Sequence, residues 1–120
     1  MLNPHDLKIG NLFINAANEI DTVTELSEQY VTGKEFAVPY PSANGVPLNE
    51  EWLARLGFEE HADKGLYRKA NFFLHHYRFS KTYCFKYNDY KSSEIQYVHQ
   101  LQNLFYALTG EELEIKERAI

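Results

Sequence analysis

Apolar and polar residues alternate in short runs over the first third of the chain. In "DLKIGNLFIN" a turn signal at Gly10 and Asn11 precedes a β-prone run over 12–15. "AANE" reads as a turn. In "IDTVTEL" a period-two pattern puts Ile20, Thr22, Thr24 and Leu26 on one side and Asp21, Val23 and Glu25 on the other. "SEQ" turns the chain again, and "YVTGKEF" supplies a third short strand. Three short strands with tight turns predict a small β unit over 1–38, either a meander or part of an SH3-like barrel. The proline-bearing stretch "VPYPSANGVP" predicts a linker over 39–47.

The pattern changes after the linker. Asn49 has the chemistry of a helix N-cap, and Glu50 and Glu51 sit in the first turn, where the helix dipole favours acids. Leu48 and Leu53 have the spacing of a hydrophobic staple, Trp52, Leu53 and Leu56 share a face, and Gly57 is the expected stop. Next, "GLYRK", "FFLHHYRF" and "YCFKYN" read as a three-stranded antiparallel meander, with "SKT" as the second loop. Period two places Phe73, His75, Tyr77 and Phe79 on one face, joined by Tyr83, Phe85 and Tyr87 in one aromatic layer. His76, Arg78, Cys84 and Lys86 then belong to the opposite face.

The last strong signal is helical. In "SSEIQYVHQLQNLFYALTGEEL", Ile95, Val98, Leu101, Leu104, Phe105 and Leu108 recur at helical spacing. Ser93 and Gln96 suit a capping box, and Gly110 a stop. The apolar stripe is expected to lie on the aromatic layer. The charged tail 111–120 is expected to fray, with Leu113 and Ile115 adding an edge contact. The fold expected is α+β: a β unit, a linker, then an α-β-β-β-α unit over 48–120, the whole making one compact domain.

Composition narrows the class. At 120 residues with 44% hydrophobic positions, the chain is long enough for a real core without disulfide staples. Its single cysteine, Cys84, excludes an intramolecular disulfide. The start "MLNPHDLKIG" lacks the basic-then-apolar pattern of a signal peptide, and no apolar run is long enough to span a membrane. A cytoplasmic location in the host cell is expected.

Net charge is −5, which argues against bulk DNA binding. The charge is unevenly spread. Residues 61–91 carry Lys64, Arg68, Lys69, Arg78, Lys81, Lys86 and Lys91 against only Asp63 and Asp89. Nine of the eighteen aromatic residues lie in the same segment. Lysines also protect strand edges from aggregation, but an ordinary solvated face mixes signs. The segment is therefore a candidate anion-binding surface, where cations hold phosphate and rings stack on a base.

The remaining chemistry is thin. His75 and His76 are adjacent on a strand and point to opposite faces, so they are a poor pair for one metal ion. Cys84 is expected to pack as a small apolar residue rather than act as a nucleophile. His99 and Asn103 stand four apart on the last helix, beside Gln96 and Gln100, and form a polar strip that suits a ligand. No nucleotide-loop, zinc-protease or nucleophile-elbow motif occurs. The candidate ligand-binding set is His76, Arg78, Lys81, Lys86, His99 and Asn103. No catalytic residue, metal or cofactor is expected.

Three stretches, "DLKIGN", "PLNEEWLARLGF" and "YVHQLQNLFYALTGEEL", resemble a family of small uncharacterised proteins from gut anaerobes, their phages and other mobile elements. The resemblance touches both ends and the middle of the chain. It implies an accessory protein, often of phage type, and supplies no activity and no site residues. The function expected is non-catalytic binding of a protein or an anionic, nucleotide-like ligand. Two other classes stay open: a small enzyme on a nucleotide or phosphorylated substrate using His76 or His99, and a homo-oligomeric structural protein.

Overall fold

The computed structural model describes residues 2–60, 65–76, 82–87 and 90–116. It is a mixed α+β protein whose strands all pair antiparallel. The chain divides into two units, Met1–Pro47 with Tyr97–Glu112 and Leu48–Gln96 with Leu113–Ile120.

The first unit carries five short strands: β1 (Leu12–Ile14), β2 (Ile20–Thr22), β3 (Glu25–Leu26), β4 (Tyr30–Thr32) and β5 (Ala37–Pro39). β1 and β2 form a two-stranded sheet, and β3, β4 and β5 a three-stranded one. "YVTGKEF" is therefore not one strand. It breaks at a turn in which the Gly33 N–H bonds the Phe36 carbonyl at 2.8 Å. The "AANE" turn is set by Asn15, whose side-chain oxygen accepts from the N–H groups of Ala17 (2.9 Å) and Glu19 (3.1 Å). Asn18 takes the left-handed conformation that asparagine tolerates, with φ 61°.

The inward set of β2 and its continuation is Asp21 and Val23, while Ile20 is 52% exposed. A carboxylate lies inside because its oxygens are engaged. Asp21 accepts from the N–H of Thr22 (2.8 Å), the N–H of Lys34 (2.9 Å) and the Asn15 amide (3.4 Å). Burial alone would raise its pKa, but the backbone donors of Lys34, Thr22 and Glu35 and the Asn15 amide outweigh it and hold it below the ordinary value. Leu2, Leu7, Phe13, Val23, Val31, Val38, Tyr40 and Ala43 make the core. The segment 39–47, expected as a linker, holds a 3-10 turn over Tyr40–Ser42 and buries Tyr40, Ala43 and Val46.

The helix α2 (Val98–Thr109) belongs to this first unit. Its apolar stripe is expected from sequence to lie on the aromatic layer of the meander. The structure instead ties it to the β1 region through side chains that hydropathy ignores. Gln102 accepts from the Leu12 N–H at 2.9 Å and donates to the Gly10 carbonyl at 3.3 Å. The helix also starts later than expected. Tyr97, not Ser93, stands at the N-cap position, and its N–H donates to the Gln100 side chain at 2.9 Å.

The second unit contains α1 (Glu50–Arg55) and a five-stranded sheet in the order β10-β9-β8-β7-β6. Its strands are β6 (Glu59–Glu60), β7 (Leu66–Lys69), β8 (Phe72–His76), β9 (Tyr83–Tyr87) and β10 (Tyr90–Ile95). The three expected strands are its centre, and β6 and β10 flank them. "SSEI", expected inside the last helix, is strand because Ile95 pairs with Tyr83 and is buried. A register shift between Lys91 and Glu94 interrupts that ladder, and there Ser92 Oγ accepts the Phe85 N–H at 2.9 Å.

α1 follows the expected rules. Asn49 accepts the Trp52 N–H at 2.9 Å, and Gly57 follows the helix with φ 89°. Trp52, Leu53 and Leu56 are buried. The tail returns to this helix. The Lys116 N–H donates to the Arg55 carbonyl at 2.7 Å and the Arg55 Nε to the Lys116 carbonyl at 3.2 Å, while Leu113 is buried. No helix among the described residues is long and apolar enough to cross a membrane.

Candidate functional site

The register of the five-stranded sheet assigns each residue to a face. Leu74 pairs with Tyr67 and Phe85, Phe72 with Tyr87, and His76 with Tyr83. These residues share the inner face, where Tyr67, Phe72, Leu74, Tyr83 and Phe85 are buried. α1 covers that face. The Tyr67 hydroxyl donates to Glu50 at 3.1 Å, and the Lys69 ammonium donates to the Leu56 carbonyl at 3.1 Å. Desolvation first, then the Glu50 carboxylate, push the Tyr67 phenol well above its ordinary pKa. The rings pack closely: Phe72 stacks on Tyr87 at 4.4 Å and lies 5.6 Å from Phe85.

The phase of β8 is therefore one residue away from that expected. The sequence pattern assigns Phe73 and His75 to the buried layer and His76 to the opposite face. In the structure His75 is exposed, and His76 is half-buried and stacked on Tyr83 at 4.6 Å. "FFLHH" offers two phases, Phe72 with Leu74 or Phe73 with His75. The pairing with Tyr83 and Phe85, covered by α1, selects the first.

On the outer face the same register lines up one row across the sheet. Glu59 pairs with Arg68, Arg68 with Phe73, Phe73 with Lys86, and Lys86 with Lys91. Arg68, Lys86 and Lys91 are exposed and Phe73 is half-buried among them. The Arg68 guanidinium lies 6.0 Å from the Phe73 ring centre. With strands about 4.8 Å apart, the row from Arg68 to Lys91 spans about 14 Å. His75 stands next to Phe73 on the same side of β8, two residues along. Among the described residues, the acids on this face are Glu59 and Glu94, on the edge strands β6 and β10. A cleft of about 380 Å³ lies beside Arg68, lined also by Gly57, Glu59, Glu60, Lys69 and Ala70. Its two acids balance its two bases, so it has no preference for an anion.

The expected site residues separate. Lys86 lies in the cation row. His76 is on the inner face and does not join it. Arg78 and Lys81, with Ser80 of the "SKT" loop, lie outside the described residues. His99 and Asn103 belong to the first unit. The Asn103 amide donates to the Asp6 carbonyl at 2.6 Å and accepts from the Asn11 amide at 2.8 Å, so its polar atoms hold α2 to the neighbouring chain. His99 is 3% exposed and stacked on Tyr97 at 5.7 Å. Its Nδ1 is buried with no hydrogen-bond partner among the described residues. Burial lowers its pKa, against the opposing pull of Asp6.

Arg68, Phe73 and Lys91 were absent from the expected site. Arg68 and Lys91 were visible in the sequence as members of the basic segment, and strand pairing singles them out. Cys84 is buried, and its thiol donates to the Ser92 carbonyl at 3.6 Å. No group of three or more His, Cys, Asp or Glu side chains suited to a metal ion occurs among the described residues. No protein-family model, curated protein or solved structure matches this chain.

Proposed function

We propose that this is a non-catalytic binding protein, an accessory protein of a mobile element, that receives an anionic partner on the outer face of its five-stranded sheet. The observation that carries the reading is the cross-strand row Arg68–Phe73–Lys86–Lys91, three exposed cations around one ring. Like charges placed side by side repel one another, and Lys86 opposite Lys91 is an unfavourable cross-strand pair for stability alone. An anion that bridges them removes that repulsion. The accessory role rests on the resemblance of both ends and the middle of the chain.

A catalytic role for His99 fits poorly, since a side chain 3% exposed does not reach substrate. The test is backbone-amide NMR during titration with ATP and with a short polyglutamate peptide. Shifts are expected to concentrate on Arg68, Phe73, Lys86 and Lys91, and to fade as salt rises. The variant Arg68→Glu/Lys86→Glu should keep its fold and lose the response, because surface charges contribute little to stability. Shifts scattered over the whole chain, or an unchanged response in the variant, would exclude this face.

A further inference from the structure

We infer that the anion received by the outer sheet face is a single-stranded nucleic acid, with Phe73 and His75 as base-stacking platforms and Arg68, Lys86 and Lys91 as its phosphate contacts. The inference rests on the proposed anion-binding role of that face and names the chemistry of its partner.

Three observations separate a nucleic acid from a merely acidic surface. Phe73 and His75 are successive outward residues of β8, the middle strand of five. The rings therefore stand in file along the centre of the sheet, about 7 Å apart by strand geometry. Cations flank Phe73 on both sides, Arg68 on β7 and Lys86 on β9 with Lys91 beyond it on β10, while His75 lies between Leu66 and Cys84. The described acids of this face, Glu59 and Glu94, are opposite Arg68 and Cys84 on the edge strands, and neither is directly opposite a ring.

An acidic peptide would need only the cations. A ring set between two cations, Phe73 between Arg68 and Lys86, suits a ligand that alternates planar bases with phosphates. Phe73 is half-buried, with the Arg68 guanidinium over its ring at 6.0 Å, so ring and cation stand together at one point of the face. The antiparallel sheet face also suits an unpaired strand better than a duplex, whose bases are already stacked on one another. Every base has a π-face, so binding should depend little on sequence.

The experiment is fluorescence anisotropy with four labelled probes over a series of salt concentrations. The probes are a uridylate octamer, a thymidylate octamer, a 16-base-pair duplex and an octaglutamate peptide. Either single strand is expected to bind more tightly than the duplex or the peptide, and comparing the two octamers shows whether the sugar is read. Three phosphate contacts predict a slope of log K against log salt of about −2. Phe73→Leu keeps an apolar body in the sheet and removes the ring. It should weaken the nucleic-acid octamers about tenfold and leave the slope unchanged. Arg68→Glu/Lys86→Glu should abolish binding and salt dependence together. Circular dichroism and a thermal melt confirm that each variant is folded.

If the octaglutamate peptide binds as tightly as the nucleic-acid octamers, or Phe73→Leu binds both octamers like the wild type, base stacking is refuted and only the broader anion-binding reading stands. If no probe binds even at low salt, both readings fall.

Discussion

Removing the Asp21 carboxylate should open the turn that follows β4. Asp21 is 6% exposed, yet it sits where an apolar residue would be expected on the inward side of β2. It holds two well-formed bonds from backbone donors, Thr22 at 2.8 Å and Lys34 at 2.9 Å, and a longer one from Asn15 at 3.4 Å. A hydrogen bond to a charged group contributes about 1.5–3 kcal/mol. The donors are only partly buried, so water replaces some of what is lost, and the lower end applies. Asp21→Ala is expected to destabilise the fold by about 2–3 kcal/mol.

Gly33 marks how closely the turn approaches. A Cβ built there would lie 2.2 Å from Asp21 Oδ2, so Gly33→Ala should displace the same carboxylate and weaken the same contacts. The two changes act on one cluster, and the double variant should cost less than the sum of the singles. The pKa of Asp21 is lowered in the fold, so its contribution is present above the ordinary carboxylate range and is lost as pH falls through the folded value. Urea unfolding at neutral and acidic pH reads both effects. The reasoning fails if Asp21→Ala changes stability by less than about 0.5 kcal/mol, or if the variant keeps the full acid sensitivity of the wild type.

Three other outcomes are expected. Phe85→Ala should cost about 3–5 kcal/mol in chemical denaturation, because Phe85 is wholly buried at the centre of the inner sheet face. Lowering the pH below the ordinary histidine range should destabilise the protein through His99, whose folded pKa is depressed, so that the unfolded chain takes up the proton first. Thermal melts between about pH 5 and 8 should show that slope flatten in His99→Leu. Ala70 forms the Lys69-to-Phe72 turn with φ 52°, a left-handed conformation that costs a β-carbon about 1–2 kcal/mol. Ala70→Gly relieves that cost and loses about 0.4–1 kcal/mol in unfolded-chain entropy, so a small net rise in melting temperature is expected.

Local chemistry was legible in the sequence wherever one residue's own groups decide the outcome. Asn49 caps α1 because its side chain reaches Trp52 without help from the rest of the fold. Gly57 and the turn at Asn15 follow from the same short-range logic, as do the three central strands, whose β-prone runs are bounded by turn residues. The charge asymmetry that pointed to the candidate site is likewise a property of composition.

Tertiary structure decided what required comparing distant residues. "FFLHH" can bury either phase, and only pairing with β9 under α1 sends Phe72 and Leu74 inward and leaves Phe73 and His75 outward. "SSEI" has helical spacing, but the β9 ladder draws Ile95 beside Tyr83 and delays α2 until Tyr97. α2 joins the N-terminal unit through the buried amide of Gln102, an interaction invisible to an apolar stripe. The cation row is the clearest case. Arg68 and Lys91 stand twenty-three positions apart in the chain, and strand register alone puts them in one line across a single face.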